Sequence, residues 1–467
     1  MRPNIVLILI DDLGWRDLAC TGSTFYKTPC LDRLARQGMT FTDAYAACPV
    51  CSPTRASLMT GQYPARVGIT DWIDWGGKLH PLRGRLVEVP YLKQLPAGKA
   101  TLAEALREGG YATWHVGKWH LGGPGALPQE RGFEVNIGGG TSGAPGRYFA
   151  PWPVEALANE KAPAGTYLTD YLTDKAIGLV RQRDDRPFFL NFWHYAVHTP
   201  IQAKKDAVRR SQKRSKELGL DGLKAIEEGE PFKTLNKLHL KVQRRRLQSD
   251  PVYAAMMANL DWNIGRLLKT LEDEGLADNT LVIFTSDNGG LATSEGSPTC
   301  NAPLSEGKGW MYDGGVRVPL LVRWPGRVAP GSACAEPVTS PDFFPTLLEA
   351  AGLAPKPHAH EDGVSFLPLL EGADKLARDA IFWHYPHYGN QGGSPGSSVR
   401  SGDYKLIEFF EDGRLELYNL AADIGETRNL AADLPEVTAR LHGLLRAWRE
   451  ALEAKIPAPN PEWNPTP

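Results

Sequence analysis

The chain has 467 residues, of which 42% are hydrophobic, and its 52 basic and 54 acidic side chains give a formal net charge of -2. This length allows a large hydrophobic core plus a second, smaller unit. The near-neutral charge provides no general affinity for nucleic acid or for an anionic membrane, so any anion-binding site must be built locally.

The first predicted element is a short apolar strand over residues 4–10, which Asp11 and Asp12 terminate. The run is too short for a membrane span or for the core of a signal peptide. We therefore expect no membrane span. For the sequence as written we expect a cytoplasmic protein, and a periplasmic or secreted one if a leader has been trimmed.

Four further strand-like runs alternate with helical stretches, which is typical of a mostly parallel sheet covered by helices. They cover residues 111–116, 187–193, 280–285 and 318–323. Polar residues follow closely on several of these runs, and ligands of open α/β sheets bind outside the carboxyl ends of the strands. We predict an α/β fold with a large, mostly parallel mixed sheet between helices, and a site at that edge.

This catalytic α/β domain is predicted to span residues 1–372 and to contain an insertion at 204–250. The insertion has 14 lysine and arginine residues against seven aspartate and glutamate residues. We interpret it as helical and basic, with a solvated surface favoured over a polyanion-binding patch.

Residues 373–467 predict a smaller C-terminal α+β subdomain. Strand-like runs at 381–384, 404–410 and 414–419 precede a helix at 435–455, which indicates an antiparallel sheet with one helix. The stretch 389–398, rich in glycine, serine and proline, predicts a mobile loop beside a site.

The most informative segment begins at Cys51 and reads CSPTR, followed by ASLMTGQYPARVGI. It resembles the signature of the type I, formylglycine-dependent sulfatases, arylsulfatase-like members of the alkaline phosphatase superfamily. In that family the cysteine is oxidised to formylglycine, which implies a formylglycine-generating enzyme as a partner during maturation. The resemblance extends from NIVLILIDDLGW near the start to LELYNLAADIGETRNLA near the end.

A cysteine thiol is poorly suited to sulfate ester hydrolysis, because a sulfated thiol has no easy route to release sulfate. A hydrated aldehyde carries two hydroxyls on one carbon. One hydroxyl attacks sulfur and expels the alcohol, and deprotonation of the second re-forms the carbonyl and ejects sulfate. The resemblance therefore implies hydrolysis of sulfate monoesters through a covalent sulfo-enzyme intermediate at Cys51.

Two pairs of polar residues match the metal ligands of the family. Asp11 and Asp12 follow the first strand, and Asp287 and Asn288 follow a later one. Either pair alone is typical of a turn or a helix cap. Together, and with the modified Cys51 as a further ligand, they indicate a site for Ca²⁺, or for Mg²⁺, which would hold the diol and polarise a sulfate oxygen.

Three further side chains near the signature match catalytic positions of the family. Arg55 lies one helical turn beyond Cys51, where it can stabilise the deprotonated diol. The segment HVGKWHLG supplies Lys118 and His120. The resemblance implies that Lys118 contacts the diol and the sulfate, and that His120 takes the proton that triggers sulfate release.

Two more catalytic candidates lie later in the chain. His198, in HYAVHTP, resembles the family's candidate for protonating the leaving oxygen, although Val197 stands where proline is often found. Lys308, in GKGWMYDGGVRVP, resembles a second sulfate-binding lysine. We interpret His115 and His194 as packed residues.

Two aromatic segments are candidates for contacts with the rest of the substrate. The first, FWHYPHY, contains His384 and His387, and the second, TDWIDW, contains Asp71 and Trp72. Aromatic faces stack on sugar rings, and imidazoles and carboxylates bond to hydroxyls, whereas ordinary packing explains each single residue equally well. A sulfated saccharide is the indicated substrate, with small aryl sulfates also reactive.

Two alternatives remain open from the sequence. A phosphomonoester or phosphonate ester hydrolase of the same superfamily would prefer phosphate esters. A catalytically silent protein that binds sulfated glycans would keep Cys51 as an ordinary cysteine.

Overall fold

The computed structural model describes residues 2–77, 79–80 and 82–464. Its strands are β1 (Asn4–Ile10), β2 (Met39–Tyr45), β3 (Ala112–Gly117), β4 (Val135–Ile137), β5 (Phe188–Trp193), β6 (Ile226–Pro231), β7 (Lys241–Arg245), β8 (Thr280–Ser286), β9 (Arg317–Arg323), β10 (Ser332–Cys334), β11 (Val338–Thr339), β12 (Ile381–Tyr385), β13 (Gly396–Ser401), β14 (Tyr404–Phe409) and β15 (Leu415–Asn419). Its α-helices are α1 (Pro29–Gln37), α2 (Cys51–Thr60), α3 (Pro64–Val67), α4 (Leu102–Glu108), α5 (Leu168–Arg181), α6 (Lys205–Glu217), α7 (Pro251–Asp273), α8 (Asp313–Val316), α9 (Phe343–Ala350), α10 (Leu367–Leu370) and α11 (Pro435–Ala451).

Strand β1 lies inside the largest sheet, whose order is β10-β2-β9-β8-β1-β5-β3-β4, with β11 paired to β2. Strand β9 runs antiparallel to β8 and β2, whereas the other pairings of this sheet are parallel. The predicted α/β fold with a large, mostly parallel mixed sheet is therefore confirmed. Its five predicted strands correspond to β1, β3, β5, β8 and β9, with bounds that differ by one residue at most.

Both faces of this sheet are buried under helices. Ile5, Leu7 and Leu9 of β1 belong to a hydrophobic cluster with residues of α2, α4 and α9. The residues between them on the same strand pack with α1, α5 and α7 on the other face. Since side chains alternate along a strand, a continuous apolar run such as β1 is what a sheet covered on both sides requires.

The C-terminal unit is the predicted antiparallel sheet with one helix, in the order β12-β13-β14-β15. On one face, Val399 and Leu406 pack with Leu441 and Leu445 of α11. The other face belongs to a hydrophobic cluster that includes residues just before α2. The two units thus share a core, and their division at 372/373 stays a prediction.

The stretch 389–398, expected to be a mobile loop beside a site, is a loop only over residues 389–395. Residues 391–400 are buried, and from Gly396 onward they form β13, the strand between β12 and β14. A Cβ atom at Gly393 would lie 1.8 Å from the carbonyl oxygen of Gly309. Here glycine permits close packing of two backbone segments. A sequence rich in glycine is equally typical of a flexible loop, so the sequence alone did not distinguish the two cases.

The insertion at 204–250 is helical only in its first part. Helix α6 is followed by a two-stranded antiparallel sheet of β6 and β7. Ion pairs cross this hairpin, with 3.4 Å between Lys241 and Glu228 and 2.8 Å between Arg244 and Glu230. The residues of β6 and β7 have low strand propensity, but the ion pairs between the two strands stabilise the hairpin.

Among the described residues, no helix is both long enough and apolar enough to cross a membrane.

Candidate active site

The predicted site residues converge at one edge of the large sheet. Asp11 and Asp12 follow β1, and Asp287 and Asn288 follow β8, which is the parallel neighbour of β1. Lys118 and His120 follow β3, and His198 lies shortly after β5. Because parallel neighbouring strands end at the same edge, residues far apart in sequence meet there.

Arg55 and Lys118 occupy the buried base of this site. The Arg55 guanidinium donates from Nε to Asp287 Oδ2 at 2.8 Å, and its Nη2 forms an ion-pair contact with the same oxygen at 2.7 Å. It also donates to the Lys118 carbonyl at 3.0 Å, and its plane lies 5.1 Å from the centre of the Trp193 ring. Lys118 Nζ in turn donates to Asp11 Oδ2 at 2.7 Å. Two cations thus balance two carboxylates out of contact with solvent.

Asp12 forms a second ion pair, nearer to the open side. Its carboxylate accepts from Lys308 Nζ at 2.8 and 2.9 Å and from Asn288 Nδ2 at 2.8 Å. Burial alone would raise the pKa of Asp12, but Lys308 and His198 outweigh burial and hold that pKa below its ordinary value. The same pairing raises the pKa of Lys308 against the effect of burial, so this pair is charged.

Two buried oxygen atoms in this group accept no hydrogen bond from any described residue: Asp11 Oδ1 and Asn288 Oδ1. Burial raises the pKa of Asp11 to about 8, with Asp287 and Asp12 adding to the rise that Lys118 opposes. A divalent cation would bind both free oxygens and favour the ionised form of Asp11. The four expected ligands, all oxygen donors, therefore suit Ca²⁺ or Mg²⁺.

Asp11, Asp12 and His198 also offer one ligand atom each within 4.8 Å of one another. This grouping arises because His198 Nε2 lies 3.7 Å from Asp12 Oδ2. Its other ring nitrogen, Nδ1, lies 2.8 Å from the Thr199 carbonyl, which fixes Nδ1 as the donor. In the neutral ring the atom turned toward the site is then the acceptor Nε2, and burial together with Lys308 lowers the pKa of His198 to about 3.

Cys51 is the first residue of α2, a helix whose ten residues are all buried. Its Sγ atom lies 3.3 Å from His120 Nδ1, while His120 Nε2 donates to the Ile73 carbonyl at 2.8 Å. This bond leaves Nδ1 unprotonated and facing Cys51. Burial, reinforced by Lys118, lowers the pKa of His120 well below its ordinary value, and burial raises the pKa of the Cys51 thiol.

Two of these residues have left-handed backbones: φ is 65° at Asp12 and 58° at His120. Non-glycine residues adopt this region at a cost of about 1 kcal/mol or more, and such positions are concentrated at functional sites. Lys308 and Asn288 hold Asp12 in place, and the Ile73 carbonyl holds His120, so these contacts compensate the strain locally.

A cavity of about 510 Å³ opens above Cys51. Cys51, His120, His198 and Lys308 lie at its floor. Its other lining residues are Val50, Trp72, Ile73, Asp74, Trp75, Leu79, Thr141, Ser142, Gly143, Ala144, Thr199, Glu295, Asn390 and Gln391. This is a volume suited to a small ligand or one end of a longer one.

Of the four residues expected to contact the substrate, one lines the cavity and three do not. Trp72 lines the cavity, whereas Asp71, His384 and His387 do not. His384 is 2% exposed, and both of its ring nitrogens are engaged, by Ser397 Oγ at 2.7 Å and the Lys455 carbonyl at 3.0 Å. The expectation that these three side chains line the pocket is wrong, because they are turned away from the cavity into the protein.

His115 and His194 are fully buried, as expected for packed residues. His115 lies among Trp119, Phe133 and Trp193, and His194 lies 4.1 Å from the Phe192 ring centre. Neither lines the cavity.

Asp74 and Trp75 of the wall belong to the candidate segment TDWIDW, and Asn390 and Gln391 belong to the stretch 389–398 that was expected beside a site. Leu79, Thr141, Ser142 and Glu295 also line the wall and were not predicted. These four residues lie in irregular segments whose composition does not distinguish them from ordinary surface loops.

Comparison with known proteins identifies the family. The sulfatase family model matches residues 3–353, and a model described as N-sulphoglucosamine sulphohydrolase, C-terminal, matches residues 306–451. A sulfatase of Formosa agariphila is 34% identical, with 96% of this chain and 88% of the relative covered. Human arylsulfatase A is 34% identical, with 95% and 87% covered.

Among solved structures, Ps i-CgsB in complex with k-i-k-neocarrahexaose superposes with a TM-score of 0.76. It is 28% identical, and the match covers 96% of this chain and 93% of that one. Since both the family model and relatives of at least 30% identity span most of the sequence, the chain belongs to the sulfatase family of the alkaline phosphatase superfamily and is a sulfuric ester hydrolase.

Proposed function

We propose that this sulfatase hydrolyses a sulfate monoester of a saccharide through a formylglycine derived from Cys51, and that aryl sulfates are also substrates. The observation that supports this most directly is the position of Cys51. It begins α2, lines the cavity, and lies 3.3 Å from His120 Nδ1 and near the charged groups of Lys118, Asp11 and Asp287.

Asp11, Asp12, Asp287 and Asn288 would hold Ca²⁺, with Mg²⁺ as the alternative, and the modified Cys51 would complete the ligand set. When bound, the ion and the hydrated aldehyde supply Lewis acidity and two hydroxyls on one carbon. Maturation then requires a formylglycine-generating enzyme.

The side chains of the protein perform the remaining tasks. Lys118 and Lys308 place two ammonium groups beside Cys51, where they would bind the sulfate oxygens and stabilise negative charge. His120 Nδ1, kept unprotonated by the bond from Nε2 to Ile73, would accept a proton from the group at position 51. His198 Nε2 is the atom that would exchange a proton with the leaving oxygen.

The walls of the cavity favour a saccharide. Trp72 and Trp75 provide aromatic faces for a sugar ring, and Asp74, Glu295 and Gln391 provide acceptors and donors for hydroxyls. The similar Ps i-CgsB was solved with k-i-k-neocarrahexaose, a carbohydrate ligand. These features support a carbohydrate sulfate.

The decisive test compares 4-nitrophenyl sulfate with 4-nitrophenyl phosphate on the calcium-loaded protein. We expect a kcat/KM at least about 100-fold higher for the sulfate ester, which is about 2.7 kcal/mol of differential transition-state stabilisation. A strong preference for phosphate would refute the proposal in favour of a phosphomonoester or phosphonate ester hydrolase.

The saccharide proposal predicts a selective effect of Trp75→Ala. Trp75 is 47% exposed, so its loss should leave folding intact while removing one stacking surface. We expect KM for a sulfated oligosaccharide to rise about 3- to 10-fold, with little change in kcat/KM for 4-nitrophenyl sulfate. Trp262→Ala is the matched control, since Trp262 is 51% exposed and lies on α7 outside the cavity. Equal effects of the two substitutions on KM would contradict a role for Trp75 in binding.

A further inference from the structure

A second group of side chains that could hold a metal ion lies outside the lining of the cavity. Asp71, His80 and Glu88 each offer one ligand atom, and these atoms lie within 4.8 Å of one another. His387, which follows β12, adds a second imidazole. Its Nδ1 atom lies 3.2 Å from Glu88 Oε1 and 3.8 Å from Asp71 Oδ2. The group is buried, with side-chain exposures of 0% for Asp71 and His387, 4% for Glu88 and 5% for His80.

Two atoms within this group have no hydrogen bond to any described residue: Asp71 Oδ2 and His80 Nε2. They face each other at 3.8 Å. The other carboxylate oxygen, Asp71 Oδ1, is engaged by the Trp72 amide at 2.8 Å and by the Tyr385 hydroxyl at 3.0 Å. Unpaired polar atoms buried in this way are costly unless a further partner binds them.

The charges of the group also favour a cation. Among the described residues, the ion-pair partners of Asp71 and Glu88 are the histidines His80 and His387, not lysine or arginine. Asp71 and Glu88 are buried beside His80, and the rings of Trp72 and Tyr91 lie against His80. A divalent ion would place positive charge between the two carboxylates.

We propose that Asp71, His80, Glu88 and His387 form a zinc site that is separate from the catalytic metal centre. Nitrogen and carboxylate donors in equal number are typical of Zn²⁺ rather than Ca²⁺. Donors bound 2.0–2.2 Å from a tetrahedral zinc lie about 3.3–3.6 Å apart. His387 Nδ1 lies 3.2 Å from Glu88 Oε1 and 3.8 Å from Asp71 Oδ2, close to these separations. His80 faces Asp71 with Nε2 at 3.8 Å and Glu88 with Nδ1 at 2.7 Å, so its ring must turn one nitrogen toward the ion.

The site would connect two parts of the substrate pocket. Asp71, His80 and Glu88 belong to the segment that supplies Trp72, Asp74, Trp75 and Leu79 to the cavity, whereas His387 belongs to the C-terminal unit. Zinc bound here would hold that wall against the C-terminal sheet and fix its position relative to Cys51. Its role is positioning, since none of its ligands lines the cavity.

The test measures zinc content in the full chain. Protein saturated with Ca²⁺ is incubated with a small excess of Zn²⁺, freed of unbound metal by gel filtration, and analysed by inductively coupled plasma mass spectrometry. We expect about one zinc per chain in the wild type and in Cys51→Ala, and less than about 0.2 in His80→Gln. His358→Gln, which removes an exposed histidine outside the group, should retain the full content.

A second measurement covers the case in which His80→Gln does not fold. Co²⁺ bound to the wild type at a four-coordinate site of nitrogen and oxygen donors should give intense visible d–d absorption that added Zn²⁺ abolishes. Wild-type protein that retains no zinc, or zinc lost in Cys51→Ala but kept in His80→Gln, would overturn the proposal. The group would then be a hydrogen-bonded network of histidines and carboxylates. None of these outcomes depends on sulfatase activity.

Discussion

Replacement of Cys51 by alanine is expected to lower kcat/KM for 4-nitrophenyl sulfate by at least about 10⁴-fold. The substitution removes the group that would be converted to formylglycine, while the residues around it remain: His120 at 3.3 Å from Sγ, and the two lysines beside it. Those residues can bind sulfate but cannot supply the attacking oxygen. A steady-state assay at saturating Ca²⁺ measures the loss.

Cys48→Ala is the matched control for that substitution. Cys48 is also buried, three residues before Cys51, but it does not line the cavity. Its replacement should change kcat/KM by less than about 3-fold. Mass spectrometry of the peptide containing Cys51 should show the aldehyde in active wild-type protein. Activity that survives in Cys51→Ala, or an unmodified thiol in fully active protein, would exclude the formylglycine mechanism.

Much of the candidate site could be predicted because its residues lie at the ends of strands with strong signals. The continuous apolar run of β1 identifies a strand buried on both faces, and the polar residues that follow it, Asp11 and Asp12, must then lie at the sheet edge. The same reasoning places Asp287 and Lys118 beside them. The regular geometry of the sheet fixes the positions of these residues. Irregular segments of the chain allow no such inference.

Three of the strands that were not predicted, β13 and the two strands of the hairpin of β6 and β7, consist mainly of residues with low strand propensity. Strand β13 contains glycine and serine, and a Cβ atom at its first residue, Gly396, would lie 2.6 Å from the Glu408 carbonyl oxygen. The hairpin of β6 and β7 contains glutamate, lysine and arginine, which are poor strand formers singly and are stabilised by pairing across the strands. In both cases tertiary contacts override local propensity.

The misassigned substrate residues have a similar cause. His384 lies on β12, where alternate side chains point to opposite faces, and its neighbours Trp383 and Tyr385 belong to the cluster shared with the larger unit. An aromatic and histidine-rich segment shows that polar rings are present, but not which way they point. The direction depends on which face of the C-terminal sheet is packed, and nonlocal contacts decide that.

Asp287→Ala is expected to lower the free energy of unfolding by about 3–5 kcal/mol, because it leaves the guanidinium of Arg55 buried without its carboxylate partner. Arg55 is 0% exposed, and its remaining polar contacts are the Lys118 carbonyl at 3.0 Å and Asp11 Oδ1 at 3.9 Å. Asp11 already pairs with Lys118, so it compensates incompletely. Urea unfolding in the presence of EDTA measures this loss without the contribution of a bound metal ion.

Glu134→Ala provides the comparison for a solvent-exposed pair of the same chemistry. Glu134 pairs with Arg186 at 2.8 Å, but the two side chains are 32% and 44% exposed. Its loss should therefore cost less than about 1 kcal/mol. If Asp287→Ala proves no more destabilising than Glu134→Ala under EDTA, the Arg55 pair contributes little to folding, and its burial serves the charge balance of the catalytic site alone.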